Sequence, residues 1–175
     1  SFLLYAESTL GIPKKNIQFL IDAKAIETHN AIKKIMLLMK ATNGESEFLI
    51  YYAGHGIPDE KTGESYILPV DVQSENLNFA IKLDDLFANL SKYPTKRVTV
   101  FLDACFSGGA RGNLFVSSRG VKVRPKANTL NGNIVVFSAS SESQSALPFE
   151  EQKHGLFTYF LLKKIKETEE IGRAH

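Results

Sequence analysis

Cys105 is the only cysteine in this chain. It follows a short apolar run rich in β-branched residues, Val98 to Leu102, with Asp103 and Ala104 between. Phe106 and the turn-forming Ser107-Gly108-Gly109 come after it. His55 has a similar setting: it lies between Gly54 and Gly56, directly after the apolar run Phe48 to Ala53. Both runs read as buried strands. A strand that ends in a reactive side chain framed by small residues delivers it to the carboxyl edge of a sheet, where open α/β sheets carry their ligand sites. If the two strands are parallel neighbours, about 4.8 Å apart, imidazole and thiol face each other across one cleft. Nucleophilic thiol catalysis needs that arrangement. The thiolate attacks, and an adjacent imidazole activates a thiol whose unperturbed pKa is about 8.5. Glycine at position 56 lets its backbone N–H approach a substrate carbonyl, so Gly56 and the N–H of Cys105 are candidate oxyanion donors.

Taken singly, neither residue says much. A lone cysteine is commonly an inert core residue, and His29, His154 and His175 read as ordinary surface or satisfied histidines. The argument rests on the pair, with each member at the end of its own buried strand.

The elements that must position them follow from periodicity. The first residues read as a helix finishing near Gly11-Ile12-Pro13, and Ile17 to Ile21 as a strand closed by Asp22. Thr28 is the expected N-cap of a helix through about Thr42, with Ile32, Ile35, Met36 and Met39 on its core face. Asn43-Gly44 stops it. Residues 57 to 66 read as a polar loop and Tyr66 to Val70 as an edge strand or hairpin arm, because Pro69 argues against a central one. Leu83, Leu86, Phe87 and Leu90 give a helix its inner face. Ile134 to Phe137 is a further buried strand, and Leu156 to Ile165 the last helix. Four strong strands interleaved with helices predict an α/β fold with a mostly parallel sheet.

Composition narrows the class. The chain has 175 residues, 43% hydrophobic and 23% charged, with a net charge of +2. That suits one globular domain and gives no footprint for nucleic acid or an anionic membrane. No signal-peptide or membrane-span pattern is present, so a cytoplasmic location is the expectation. Residues 107–133 are Gly-containing and carry Arg111, Arg119, Lys122, Arg124 and Lys126 without an acid, as a solvated loop, linker or processing site would.

Phe48–Gly56 (FLIYYAGHG) with Val98–Gly108 (VTVFLDACFSG) resembles the caspase-like cysteine peptidases, most of all the metacaspase and bacterial caspase-like branch with its YSGHG and DxCxSG motifs. The 50 residues between His55 and Cys105 match the caspase separation. Tyr66–Asp71, Ile134–Ser141 and His154–Leu162 also look like family segments, so the resemblance covers nearly the whole chain. It implies a three-layer caspase–hemoglobinase fold, with a mostly parallel sheet flanked by helices. The implied reaction is peptide-bond hydrolysis through an acyl-enzyme, with His55 as general base, Cys105 as nucleophile, peptide or protein substrates and no cofactor. The chain then reads as a single peptidase domain over residues 1–175 that lacks the family's first strand. The oligomeric state stays open.

Charge sets the expected specificity. In an extended chain Asp103 points to the same face as Cys105, and a carboxylate there favours Arg or Lys at P1, as the metacaspase resemblance also implies. Asp22 is a second candidate pocket acid. The basic loop would then offer the enzyme cleavable bonds of its own, which intact mass after incubation would reveal. The chain departs from the family at Ala53, where the motif has Ser. Asp71, Asp84 and Asp85 resemble part of the calcium cluster of some metacaspases, but Gly112 stands where a further acid is wanted, so no dedicated metal site is expected. Two other classes compete with an active peptidase. One is a caspase-like module that regulates or binds without cleaving; the other, a flavodoxin-type binding domain, lacks a GxGxxG phosphate loop.

Overall fold

The computed structural model describes residues 2–59, 61–104, 106, 133–139, 148–149 and 154–173, with side chains described at 157–165 but not elsewhere beyond 139. Cys105 and the basic segment 107–132 lie outside the described residues.

Two compact units divide the chain, one formed by residues 22–145 and the other by 1–21 and 146–175. The larger unit is built on β5 (Arg97–Asp103), the strand that precedes Cys105. Val98, Val100 and Leu102 point to one face and are fully buried there. β5 pairs in parallel with β1 (Glu47–Ala53) on one side and with β6 (Ile134–Ser138) on the other. This central position explains why β5 is buried while β1 and β6 are only half-buried, with Val135 and Phe137 exposed. On the opposite face of the sheet Phe101 stacks on Phe137, ring centroids 5.2 Å apart.

Two helices cover the core face. α2 (Ala25–Thr42) sends Met39 fully into it, with Ile32 and Ile35 packed at the margin. α3 (Leu83–Leu90) buries Leu83, Leu86, Phe87 and Leu90, the set its 3.6-residue spacing predicts. Each such side chain contributes about 1.5–3 kcal/mol of gross burial energy. A second sheet is an antiparallel meander of β2 (His55–Pro58), β3 (Ser65–Leu68) and β4 (Ile81–Lys82).

In the smaller unit α1 (Phe2–Ser8) contacts α4 (Leu156–Arg173), with Phe2, Ala6, Thr158 and Leu162 buried. The short hairpin of β7 (Pro148–Phe149) and β8 (His154–Gly155) precedes α4.

Three expectations are corrected. Residues 17–21 are not a strand: the segment is irregular, and Phe19, Leu20 and Ile21 are exposed. A strand needs a ladder partner, and local apolarity does not supply one. Residues 57–66 are not loop throughout: Ile57 and Pro58 belong to strand His55–Pro58, which is held by a ladder to β3, and Ser65 and Tyr66 belong to β3 itself. The N-cap of α2 is Lys24, not Thr28: the Lys24 N–H donates to the Glu27 carboxylate at 2.8 Å, and Thr28 lies inside the first turn with its hydroxyl on the Lys24 carbonyl.

Candidate active site

The parallel register of β1 and β5 sets Ala53 directly beside Asp103. The Gly54 N–H donates to the Asp103 carbonyl at 3.2 Å and closes the ladder. Past that point the strands part. One chain turns through Gly54 into β2, whose first residue is His55; the other runs through buried Ala104 toward position 105. His55 is exposed, and Gly56 is half-buried beside it. The two strands that lead to the predicted pair, β1 and β5, are therefore neighbours and parallel, and both end at one sheet edge. Cys105 itself is outside the described residues, so the geometry ends at its flanks, Ala104 and Phe106.

The glycines around His55 have a packing reason. A methyl group on Gly54 would meet the Tyr52 ring and hydroxyl, and one on Gly56 would lie within 3.0 Å of three ring carbons of Phe106. Phe106 is fully buried. The residue after Cys105 thus fills the space that a side chain at the residue after His55 would need.

Comparison with protein families places the chain. The Caspase domain model (peptidase family C14) matches residues 8–174. The chain belongs to the caspase-domain family. A search of curated proteins finds no significant match. The family is one of cysteine peptidases acting on peptides and proteins, and the mixed α/β organisation, a parallel sheet flanked by helices, is that of a caspase domain.

The remaining sequence candidates are placed as follows. Asp103 is the last residue of β5 and is partly buried. Asp22 is exposed in the bend before α2, with a left-handed φ of 50°, and not at a strand end. Its neighbour Ala23 accepts a bond from the Val70 N–H at 3.2 Å, which sets Asp22 near the end of β3. Asp71 accepts the Ala25 N–H at 2.8 Å and so caps α2, while Asp84 and Asp85 lie in the first turn of α3. Among the described residues, no three His, Cys, Asp or Glu side chains gather as for a metal ion. No helix among the described residues is long and apolar enough to cross a membrane. A cavity of about 290 Å³, lined by Ser91 to Thr95, Asn133 and Ile134, opens at the amino ends of β5 and β6. It is at the wrong edge of the sheet to serve His55.

Sequence spacing gives Tyr52 no role, yet its hydroxyl donates to the His55 carbonyl at 2.8 Å and lies 3.3 Å from the Leu68 carbonyl. Burial pushes its pKa well above the ordinary 10.0, so it remains a hydroxyl donor across the physiological range. The only signal in the sequence is the glycine two positions on, where a ring needs room.

Proposed function

We propose that this caspase-domain protein is an endopeptidase that hydrolyses peptide bonds through a Cys105–His55 dyad and prefers Arg or Lys at P1. The observation that carries the reading is the β1–β5 register. His55 and Cys105 each stand two residues beyond the paired residues Ala53 and Asp103, on neighbouring parallel strands.

In this reading the Cys105 thiolate attacks the scissile carbonyl carbon. The oxyanion accepts hydrogen bonds from the N–H groups of Gly56 and Cys105. The His55 imidazolium gives its proton to the departing amine, leaving an acyl-enzyme. Water, deprotonated by His55, attacks the thioester carbonyl; the acid product leaves and the thiol is restored. Asp103 supplies the carboxylate that pairs with a basic P1 side chain, and Asp22 is the second acid of the proposed pocket.

Fluorogenic peptides with Arg, Lys or Asp at P1 test the reading. Cleavage after Arg or Lys is expected, lost in Cys105→Ala and in His55→Ala. Asp103→Asn is expected to raise KM for basic P1 far more than it lowers kcat. Cleavage after Asp would overturn the pocket assignment and keep the peptidase. Silence on all three from folded protein would favour the non-cleaving caspase-like module, for which Ala53 in place of the motif serine is the feature that speaks. An unchanged P1 preference in Asp22→Asn would remove that residue from the pocket.

A further inference from the structure

Four described contacts converge on the backbone that carries His55. The Gly54 N–H is held by the Asp103 carbonyl, so the residue before His55 is tied to the end of the cysteine's own strand. The His55 carbonyl is held by the Tyr52 hydroxyl. The same hydroxyl lies beside the carbonyl of Leu68, the residue that faces His55 across the β2–β3 ladder. The Phe106 ring fills the space over Gly56. Among the described residues, Tyr52 is the side chain whose polar atom touches His55's own peptide group and its ladder partner together. Its ring is packed against the core cluster at one end, and Gly54 leaves it the room to cross under the turn. A two-torsion aromatic side chain anchored in a core holds its hydroxyl with little freedom.

We infer that Tyr52 is a positioning residue for His55, its hydroxyl setting the height of the imidazole above the sheet edge through the His55 carbonyl. The inference rests on the Cys105–His55 reading above. The chain between Tyr52 and His55 is only Ala53-Gly54, and a glycine turn does not hold a fixed course unaided. Without the hydroxyl, the His55 carbonyl loses its described side-chain donor, and the residue keeps its ladder to β3 and the tie of Gly54 to Asp103. Proton transfer between thiol and imidazole needs hydrogen-bond reach, about 2.6–3.2 Å between heavy atoms. A displacement of the order of 1 Å is enough to cost about a hundredfold in rate.

Tyr52→Phe removes the hydroxyl and leaves the ring. The expected result is a fall in kcat of about tenfold, with KM for the best Arg or Lys peptide within about twofold. The pH profile of Cys105 alkylation by iodoacetamide is expected to move upward, toward the midpoint of a free thiol at about 8.5, because a misplaced imidazole stabilises the thiolate less. A merely structural tyrosine would lower the unfolding midpoint and leave kcat per folded molecule and the alkylation profile where they were; that outcome overturns the proposal. Gly54→Ala, which displaces the same ring from the other side, is expected to shift the alkylation profile in the same direction. Wild-type protein that cleaves, beside a Tyr52→Phe protein identical to it in both readouts, sinks the role of Tyr52 alone. Wild-type protein that neither cleaves nor alkylates below the free-thiol range sinks the dyad and the role of Tyr52 with it.

Discussion

Position 56 shows how tightly chemistry and packing are joined in this fold. The sequence offers one reason for glycine there, the close approach of its N–H to a substrate. The structure adds another: three Phe106 ring carbons occupy the space of a β-carbon. Phe106 has no exposed surface, so its ring cannot swing out to solvent. Gly56→Ala must therefore move either β2 or the residue that follows Cys105. Overpacking of this kind costs about 1–3 kcal/mol, and urea unfolding is expected to show it. Phe106→Leu makes room for the methyl, so the double variant should lose less stability than the two single losses added together, the mark of two residues sharing one space. A Gly56→Ala protein as stable as wild type would mean that the ring is not seated under the glycine. The same contact explains what the sequence hid. That the strands leading to His55 and to Cys105 are parallel neighbours is legible from two apolar runs. That Tyr52 and Phe106 occupy the volumes left empty at Gly54 and Gly56 depends on ring packing, which no spacing rule encodes.

Elements were legible where burial and periodicity agree. α3 and β5 lie where their apolar spacing places them, because each meets the core with a single face or along its whole length. Residues 17–21 have the composition of a strand and no ladder; residues 55–58 have the composition of a loop and a full ladder with β3. Strand identity is a property of the partner as much as of the segment. The start of α2 makes the same point for helices. Thr28 has the chemistry of a cap, but the N-terminal donors are satisfied by Glu27 from within and by Asp71 from 46 residues away. A cap from a distant loop leaves no local trace. It also gives Asp71 a role that a reading as calcium ligand would miss. Asp71→Ala is expected to lower the unfolding free energy by about 1 kcal/mol, as loss of a capping carboxylate does. The bond also ties the Val70–Val72 turn to α2 beside the Val70 to Ala23 bond, so thermal unfolding followed at the helix band should fall with it. No change in midpoint would show that water replaces the carboxylate without cost.

Across the molecule, the exposed ion pairs among the described residues do little for stability. Arg97–Glu47 and Lys96–Glu45 are exposed pairs, a class worth about 0–1 kcal/mol each. The cluster at the meander is different in kind, because three side chains from two paired stretches of chain share it. Lys82 of β4 bonds Glu64 at 2.6 Å, and the Tyr66 hydroxyl of β3 donates to the same carboxylate at 3.1 Å. The Lys82 ammonium holds the Glu64 carboxyl below its ordinary value of 4.5, and Glu64 in turn holds Lys82 above its ordinary 10.5. Burial first, and then the bond to Glu64, raises Tyr66 above 10.0. A carboxyl whose pKa is lower in the folded than in the unfolded chain binds fewer protons when folded. Its contribution to stability is therefore complete above the unfolded value of 4.5 and disappears as pH falls through the lower, folded value. Tyr66 and Lys82, both raised, act at the other end: their contributions are complete below about 10 and are lost as pH rises through the folded values. The cluster thus supports the β3–β4 pairing between the two limits. Glu64→Gln keeps the shape and removes the titration. Denaturant midpoints of wild type and variant should differ by a constant amount from about pH 6 to 8 and converge as the pH falls below the ordinary carboxylate range. Curves that stay parallel down to pH 3 would mean that Glu64 titrates alike in the folded and unfolded chains, and the coupling between the three residues would be discarded.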